Sequence, residues 1–198
     1  MGYFRGHGVT ACYFVWERTT LMRTTTPRPA RSPAELESIA RLIDTVFESP
    51  ETTSAHRAMV QMPGFDPASL PAIWDEQGTP VATVQAVPCE VSLLGSWLPA
   101  GIITMVATAE HARGQGFMRA CMDAAHQCLL DNNRPLGILY GVPSIYPKFG
   151  YRPVMPRCET RYQLPDDIQS LPYRAATDDD APMMADLFNA QERARPCA

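Results

Sequence analysis

The stretch from Ile102 to Asn132 constrains the fold of this chain more than any other. It reads I-I-T-M-V-A-T-A-E-H-A-R-G-Q-G-F-M-R-A-C-M-D-A-A-H-Q-C-L-L-D-N. The apolar run Ile102 to Ala107 is short and ends in small and polar residues, which reads as a buried strand. A basic turn follows, Arg113-Gly114-Gln115-Gly116. Apolar residues then recur at 117, 118, 121, 122, 125, 128 and 129, the spacing of a helix whose face packs on a sheet. Strand, glycine turn and helix together make an anion cradle. The first N–H groups of a helix lack internal acceptors, and the macrodipole adds partial positive charge there. Glycines let backbone approach a phosphate closely. The pattern therefore predicts a phosphate-bearing ligand at the helix start near Gly116. A plain strand-to-helix turn, with glycines that only relieve strain, is the alternative.

Other phosphate loops fit less well. No G-x-x-x-x-G-K-[ST] string exists. A dinucleotide fingerprint needs a third glycine where Arg119 stands. That leaves a Rossmann-like nucleotide binder as a weaker option, one that predicts affinity for NAD.

Two motifs together narrow the reading. Arg113-Gly114-Gln115-Gly116-Phe117-Met118 resembles the R/Q-x-x-G-x-G/A pyrophosphate loop of the GNAT acetyltransferases, with Met118 in place of the usual small residue. Gly137 to Tyr151, with its Ser144-Ile-Tyr-Pro and Phe-Gly-Tyr151 ending, resembles that superfamily's fifth strand and the segment after it. A large apolar residue at 117 and an arginine at 119 make the pair similar to the Eis-like (enhanced intracellular survival) branch. The similarity covers roughly residues 30 to 165.

The resemblance implies an α+β fold in three layers (α/β/α). Its sheet is mixed and mostly antiparallel, two central parallel strands splay apart, and helices flank it. It also implies acetyl-CoA as cosubstrate. Val106, Ala107 and Thr108 would offer backbone groups to the pantetheine arm. Arg113, Gly114, Gln115, Gly116, Phe117, Met118 and Arg119 would cradle the pyrophosphate, and Gly141 and Val142 would approach the acetyl end. Tyr146 matches the family's general-acid tyrosine, with Ser144 nearby in an undefined role. Alone, Tyr146 reads equally as a core or boundary tyrosine, and Phe149 and Tyr151 read as packing residues. The branch's base, a carboxylate at the end of a longer three-domain chain, has no counterpart here. The implied activity is N-acetyl transfer to a primary amine by direct attack in a ternary complex, the acceptor being a small-molecule amine or a lysine side chain. The competing reading is a non-catalytic acyl-CoA-binding or assembly module.

The remaining sequence fills in the frame. Hydrophobic content of 45% supports a core, and neither the net charge of -4 nor its distribution suggests nucleic acid. No apolar run is long enough to span a bilayer. Cysteines at 12, 89, 121, 128, 158 and 197 form no C-x-x-C, so free buried thiols in a reducing cytoplasm are expected and no metal site. The four histidines are scattered, and His126 is expected at the surface or boundary of the central helix.

Residues 1–26 read as a disordered or mis-started leader, or else as carrying an extra strand at Cys12 to Val15. Residues 27–164 read as the GNAT domain. Ser32-Pro-Ala-Glu35 is a capping box with proline at the first helical position, and the helix runs to Ser49-Pro50. A second helix is expected from Ser54 to Gln61. Asp44, Glu48 and Glu51 would either attract a cationic acceptor or form a solvated face. Strands are expected at Leu70–Trp74 and Val81–Val91, the latter broken near Pro88, then from Trp97 into the Ile102 run. Leu136–Tyr140 can lie parallel to that run because a helix links them. Trp74 and Trp97 are expected to pack. Residues 165–198 read as a linker and the start of a second, truncated GNAT-like domain, because Thr177-x-x-Asp180 and Ala185–Asn189 echo Ser32-x-x-Glu35 and Ala40–Asp44. The alternative is a tail helix that packs back. The resemblance also admits a homo-oligomer for a full-length form.

Overall fold

A computed structural model describes residues 10–14, 26–93, 96–156 and 174–194. The chain divides into two compact units, one of Met1–Val91 with Leu98–Arg157, the other of Ser92–Trp97 with Cys158–Ala198.

In the first unit, α1 spans Pro33–Phe47 and α2 spans Pro50–Met59. Ser32 caps α1 by accepting from Glu35 N–H at 3.2 Å. The expected reciprocal bond is displaced by one residue. Glu35 accepts instead from Arg31 N–H at 2.7 Å and from both ends of the Arg28 guanidinium at 2.8 and 2.9 Å. These bonds hold the Glu35 carboxyl at about 2. Arg28 also lies 4.2 Å over the Trp74 ring, so the entry to α1 is fastened to the sheet. The second helix begins at Pro50 rather than Ser54, because Ser49 accepts from Thr52 N–H at 3.2 Å and proline suits the first helical position. Ser49-Pro50 thus both stops one helix and starts the next.

The strands are β1 Thr10–Phe14, β2 Ala72–Trp74, β3 Pro80–Leu93, β4 Ser96–Thr108, β5 Leu136–Gly141 and β6 Arg152–Pro156, with α3 Phe117–Asp131 between β4 and β5. They form one sheet in the order β2-β3-β4-β5-β1-β6. It is mixed: β4 and β5 run parallel, while β2–β3, β1–β5 and β1–β6 are antiparallel. β3 is continuous through Pro88. β2 pairs only with Pro80, Ala82 and Thr83, so one edge of β3 at residue 88 needs no ladder donor and tolerates proline.

Within the stretch expected to be a disordered leader, β1 is a strand, paired from Thr10–Gly141 to Phe14–Gly137. This is the second of the two readings, with the strand starting two residues and ending one residue earlier than expected. Residues 1–9 and 15–25 of that leader lie outside the described residues, as does the linker expected from residue 165, up to residue 173.

Helices cover both faces of the sheet. On one, Ile39, Leu42 and Ile43 of α1 pack with Leu70, Met105 and Ala107. On the other, Cys121, Met122, Ala125 and Leu129 of α3 pack with Val84, Ile103, Leu139 and Tyr151. Each fully buried aliphatic side chain of this kind stabilises the fold by about 1.5–3 kcal/mol relative to exposure. His126, expected at the surface, is only 4% exposed. Trp97 is 51% exposed rather than packed.

In the second unit, Thr177 and Asp180 form a reciprocal capping box, and α4 spans Ala181–Ala194. Arg174 reinforces it through a two-pronged pair with Asp180 at 2.6 and 2.7 Å.

Candidate active site

The site forms where β4 and β5 part. Their parallel ladder runs from Ala100–Leu136 to Ile102–Ile138. Past Ile102, β4 continues to Thr108 and β5 to Gly141, while β1 pairs with the opposite edge of β5 from Gly137 to Gly141. The edge of β4 that faces β5 is thereby left open from Ile103 onward. Backbone N–H and C=O groups on such an edge are ready to pair with an added extended chain.

Met105 marks the change. Its φ of 48° lies in the left-handed region, which is strained for an unbranched non-glycine residue in a strand. Ile103 faces the α3-side core, whereas Met105 and Ala107 face the α1-side core. Residues two apart on a regular strand share a face. A turn of the backbone at Met105 therefore reverses the register of β4 where it leaves β5.

Beyond β4, the chain passes through a short turn at Glu110–Ala112 into the glycine loop. Gly116 caps α3 at φ 82°, with no side-chain cap and no acidic residue in the first turn. The earliest helical bond runs from Ala120 N–H to Gly116 O at 3.1 Å. The N–H groups of Phe117, Met118 and Arg119 thus precede any intrahelical acceptor and carry the positive end of the dipole.

A cleft of about 690 Å³ lies against this helix start. Of the residues expected to bind a cofactor, Val106, Thr108, Arg113, Gly114, Gly116, Phe117, Met118 and Arg119 line it. Ala107 turns its side chain into the α1-side core, and Gln115, Gly141 and Val142 are not among the lining residues. Val46, Ala112, Ile145, Lys148 and Phe149, none of them expected as cofactor contacts, complete the wall. Thr108 Oγ1 is buried there without a hydrogen-bond partner. Arg119 is already engaged: it donates to Lys148 O at 3.3 Å and stands 4.7 Å over the Phe149 ring. It braces α3 against the turn at Tyr146–Phe149.

Tyr146 opens that turn and is half-buried, which pushes its phenol above the ordinary value of 10. Its ring lies on Gly141 at the end of β5. A Cβ at Gly141 would meet Tyr146 Cε2 at 1.9 Å. Tyr146 therefore stands at the wide end of the splay.

The carboxylates of the front helices are mostly occupied. Asp44 accepts from the Thr53 hydroxyl and pairs with Arg57 at 3.4 Å. Glu51 accepts from the Ser49 hydroxyl at 2.9 Å. Glu48 is exposed and lines a second cavity of about 680 Å³, which touches the first at Val46 and Arg113. Sequence reasoning also missed His56, fully buried with Nδ1 3.2 Å from Gln85 Oε1 and Nε2 unpartnered. Among the described residues no group of histidine, cysteine, aspartate and glutamate is arranged to hold a metal ion, and no helix is long and apolar enough to cross a membrane.

Residues 26–154, well over half the chain, match the acetyltransferase (GNAT) domain family. The chain belongs to the GNAT acetyltransferase family. The GNAT fold here is similar to that of YhbS, a GNAT family N-acetyltransferase from Escherichia coli solved in complex with CoA. The TM-score is 0.53 at 20% identity, over 67% of this chain and 72% of that one. It is also similar to a probable N-acyltransferase from Enterococcus faecalis (TM-score 0.52, 18% identity, 65% of this chain, 32% of that one). For Eis1 from Mycobacterium abscessus the values are 0.50 and 17%, over 64% of this chain and 30% of that one. The chain spans about a third of the length of the last two. No curated protein matches its sequence. At these identities the likeness speaks for the GNAT fold alone.

Proposed function

We propose that this GNAT domain is an N-acyltransferase that takes an acetyl group from acetyl-CoA and passes it to a primary amine, with Tyr146 as general acid. One observation carries the reading: the open edge of β4 leads directly to an uncapped helix N-terminus, while Tyr146, which is not itself among the residues lining the cleft, packs on Gly141 at the end of β5 beside the lining residue Ile145. These features fit a CoA thioester in three respects. The open β4 edge suits the amides of a pantetheine arm. The N–H groups of residues 117–119, with Arg113 beside them, suit a diphosphate. Thr108 Oγ1, buried and unpartnered, suits a polar atom of the ligand.

In the reaction the free amine attacks the thioester carbonyl, a C–N bond forms and the C–S bond breaks. The leaving thiolate takes the Tyr146 phenol proton, the ammonium formed on attack gives up its own proton to solvent, and Tyr146 regains one from solvent before the next turnover. Burial keeps Tyr146 protonated at neutral pH, as an acid must be. The reading extends to the Eis-like branch, with a small amine or a lysine side chain as acceptor and a cytoplasmic setting in which Cys121, buried and pushed up to about 12, stays a thiol.

Titration calorimetry with acetyl-CoA, CoA and NAD, joined to a thiol-release assay over a panel of amines, tests this. Binding of acetyl-CoA with amine-dependent thiol release is the expected result. Binding without release from any amine would favour a non-catalytic acyl-CoA-binding module. Affinity for NAD in place of CoA would end the proposal.

A further inference from the structure

Beneath Tyr146 lies a buried pair that the proposed reaction does not use. Tyr151 is fully buried, and its hydroxyl lies 2.7 Å from His126 Nε2 on α3. The Tyr151 ring meets Tyr146 edge to face, with centroids 6.1 Å apart at 80°. β5 makes room for both tyrosines with glycine. A Cβ at Gly137 would sit 3.0 Å from the Tyr151 hydroxyl, and one at Gly141 would overlap the Tyr146 ring. Tyr146 is thus held between the end of β5 and a tyrosine that is itself tied to α3. Tyr146 packs, as Ile145 and Phe117 do, against the core cluster that contains Tyr151.

We infer that His126 and Tyr151 are positioning residues for Tyr146, fixing its ring through the 2.7 Å contact and the edge-to-face packing. The inference rests on the reading of Tyr146 as the acid. Burial lowers the His126 pKa to about 4, so the ring is neutral at ordinary pH. An edge-to-face contact transmits orientation, because the preferred angle fixes where the second ring points. An acid misplaced by about 1 Å can lose on the order of 10²-fold in rate.

The test is a double-mutant cycle of Tyr151→Phe and Tyr146→Phe, read as kcat and KM in the thiol-release assay. Tyr151→Phe should lower kcat about tenfold, leaving KM for acetyl-CoA within about twofold. In the Tyr146→Phe background the same change should have no further effect. A purely structural role for Tyr151 would slow both backgrounds alike, and that result overturns the inference. His126→Gln, whose amide reaches the position of Nε2, should keep more activity than His126→Leu. Equal losses in the two would also overturn it. If Tyr146→Phe is slow while Tyr151→Phe matches the unaltered chain, positioning fails and the acid stands. If Tyr146→Phe turns over at full rate, the acid and the inference fall together.

Discussion

Replacing Gly141 with alanine puts the geometry of the acid under direct strain. The added methyl would lie 1.9 Å from Tyr146 Cε2, 2.6 Å from Cδ2 and 2.7 Å from Cζ. Ordinary contact begins near 3.4 Å, so the ring must retreat by about 1.5 Å or turn. Retreat is opposed by Tyr151, which is fully buried and meets the ring from below. Overpacking of this sort destabilises a core by about 1–3 kcal/mol. The larger effect falls on rate. A general acid supplies roughly 10²–10⁴-fold, and displacement by more than 1 Å forfeits on the order of 10²-fold. Gly141→Ala should therefore cut kcat by about 10²-fold, while the dissociation constant for CoA, set by the loop before α3, changes by less than about threefold. Stopped-time thiol release gives the first quantity and calorimetry the second. A variant that folds, binds CoA and keeps kcat within about twofold would show that the Tyr146 ring is not held against Gly141 during the reaction, and the reasoning would fail.

Three further predictions follow from separate parts of the molecule. Gly116→Ala must hold alanine at φ 82°, at about 1–2 kcal/mol, and it sets a methyl against the helix start; calorimetry should show CoA affinity lower by about tenfold or more, and unchanged affinity would remove this loop from the anion site. His126 is depressed by burial from 6.5 to about 4, so its contribution is present above the unfolded value and is lost as pH falls between 6.5 and about 4; it amounts to up to about 3 kcal/mol, and urea melts across that window should show a steeper loss for the unaltered chain than for His126→Gln. Ser32→Ala removes the α1 cap and should lower stability by about 1 kcal/mol, read as a shift in the urea midpoint with an unchanged slope.

How much of this was legible in the sequence depended on whether a signal was local. The glycine loop and α3 could be read because glycine and a 3.6-residue period are local properties. Phe117 to Leu129 form the face expected of them, and the loop and the cleft coincide. Met105 could not be read. Methionine has no preference for positive φ, and the backbone reversal exists only because β4 must leave β5 while still covering α1. β1 was legible only as the second of two readings, for a related reason. A five-residue strand between β5 and β6 is specified by two neighbours far along the chain, and nothing within Thr10–Phe14 names them. The histidines are a different case. Met122, Ala125, His126 and Leu129 are spaced three and four apart and are all buried, so the period placed His126 inside. The polarity of a histidine argues for the surface, and the period outweighs it. In α2 the buried residue is His56 itself. A polar residue on an apolar stripe must find a partner, because an unpaired buried group is costly. The partners found, Tyr151 Oη for His126 and Gln85 Oε1 for His56, lie on elements distant in sequence. A histidine on the buried stripe of a helix is therefore a pointer to a tertiary contact, and here the pointer from His126 leads through Tyr151 to the tyrosine packed on the end of β5.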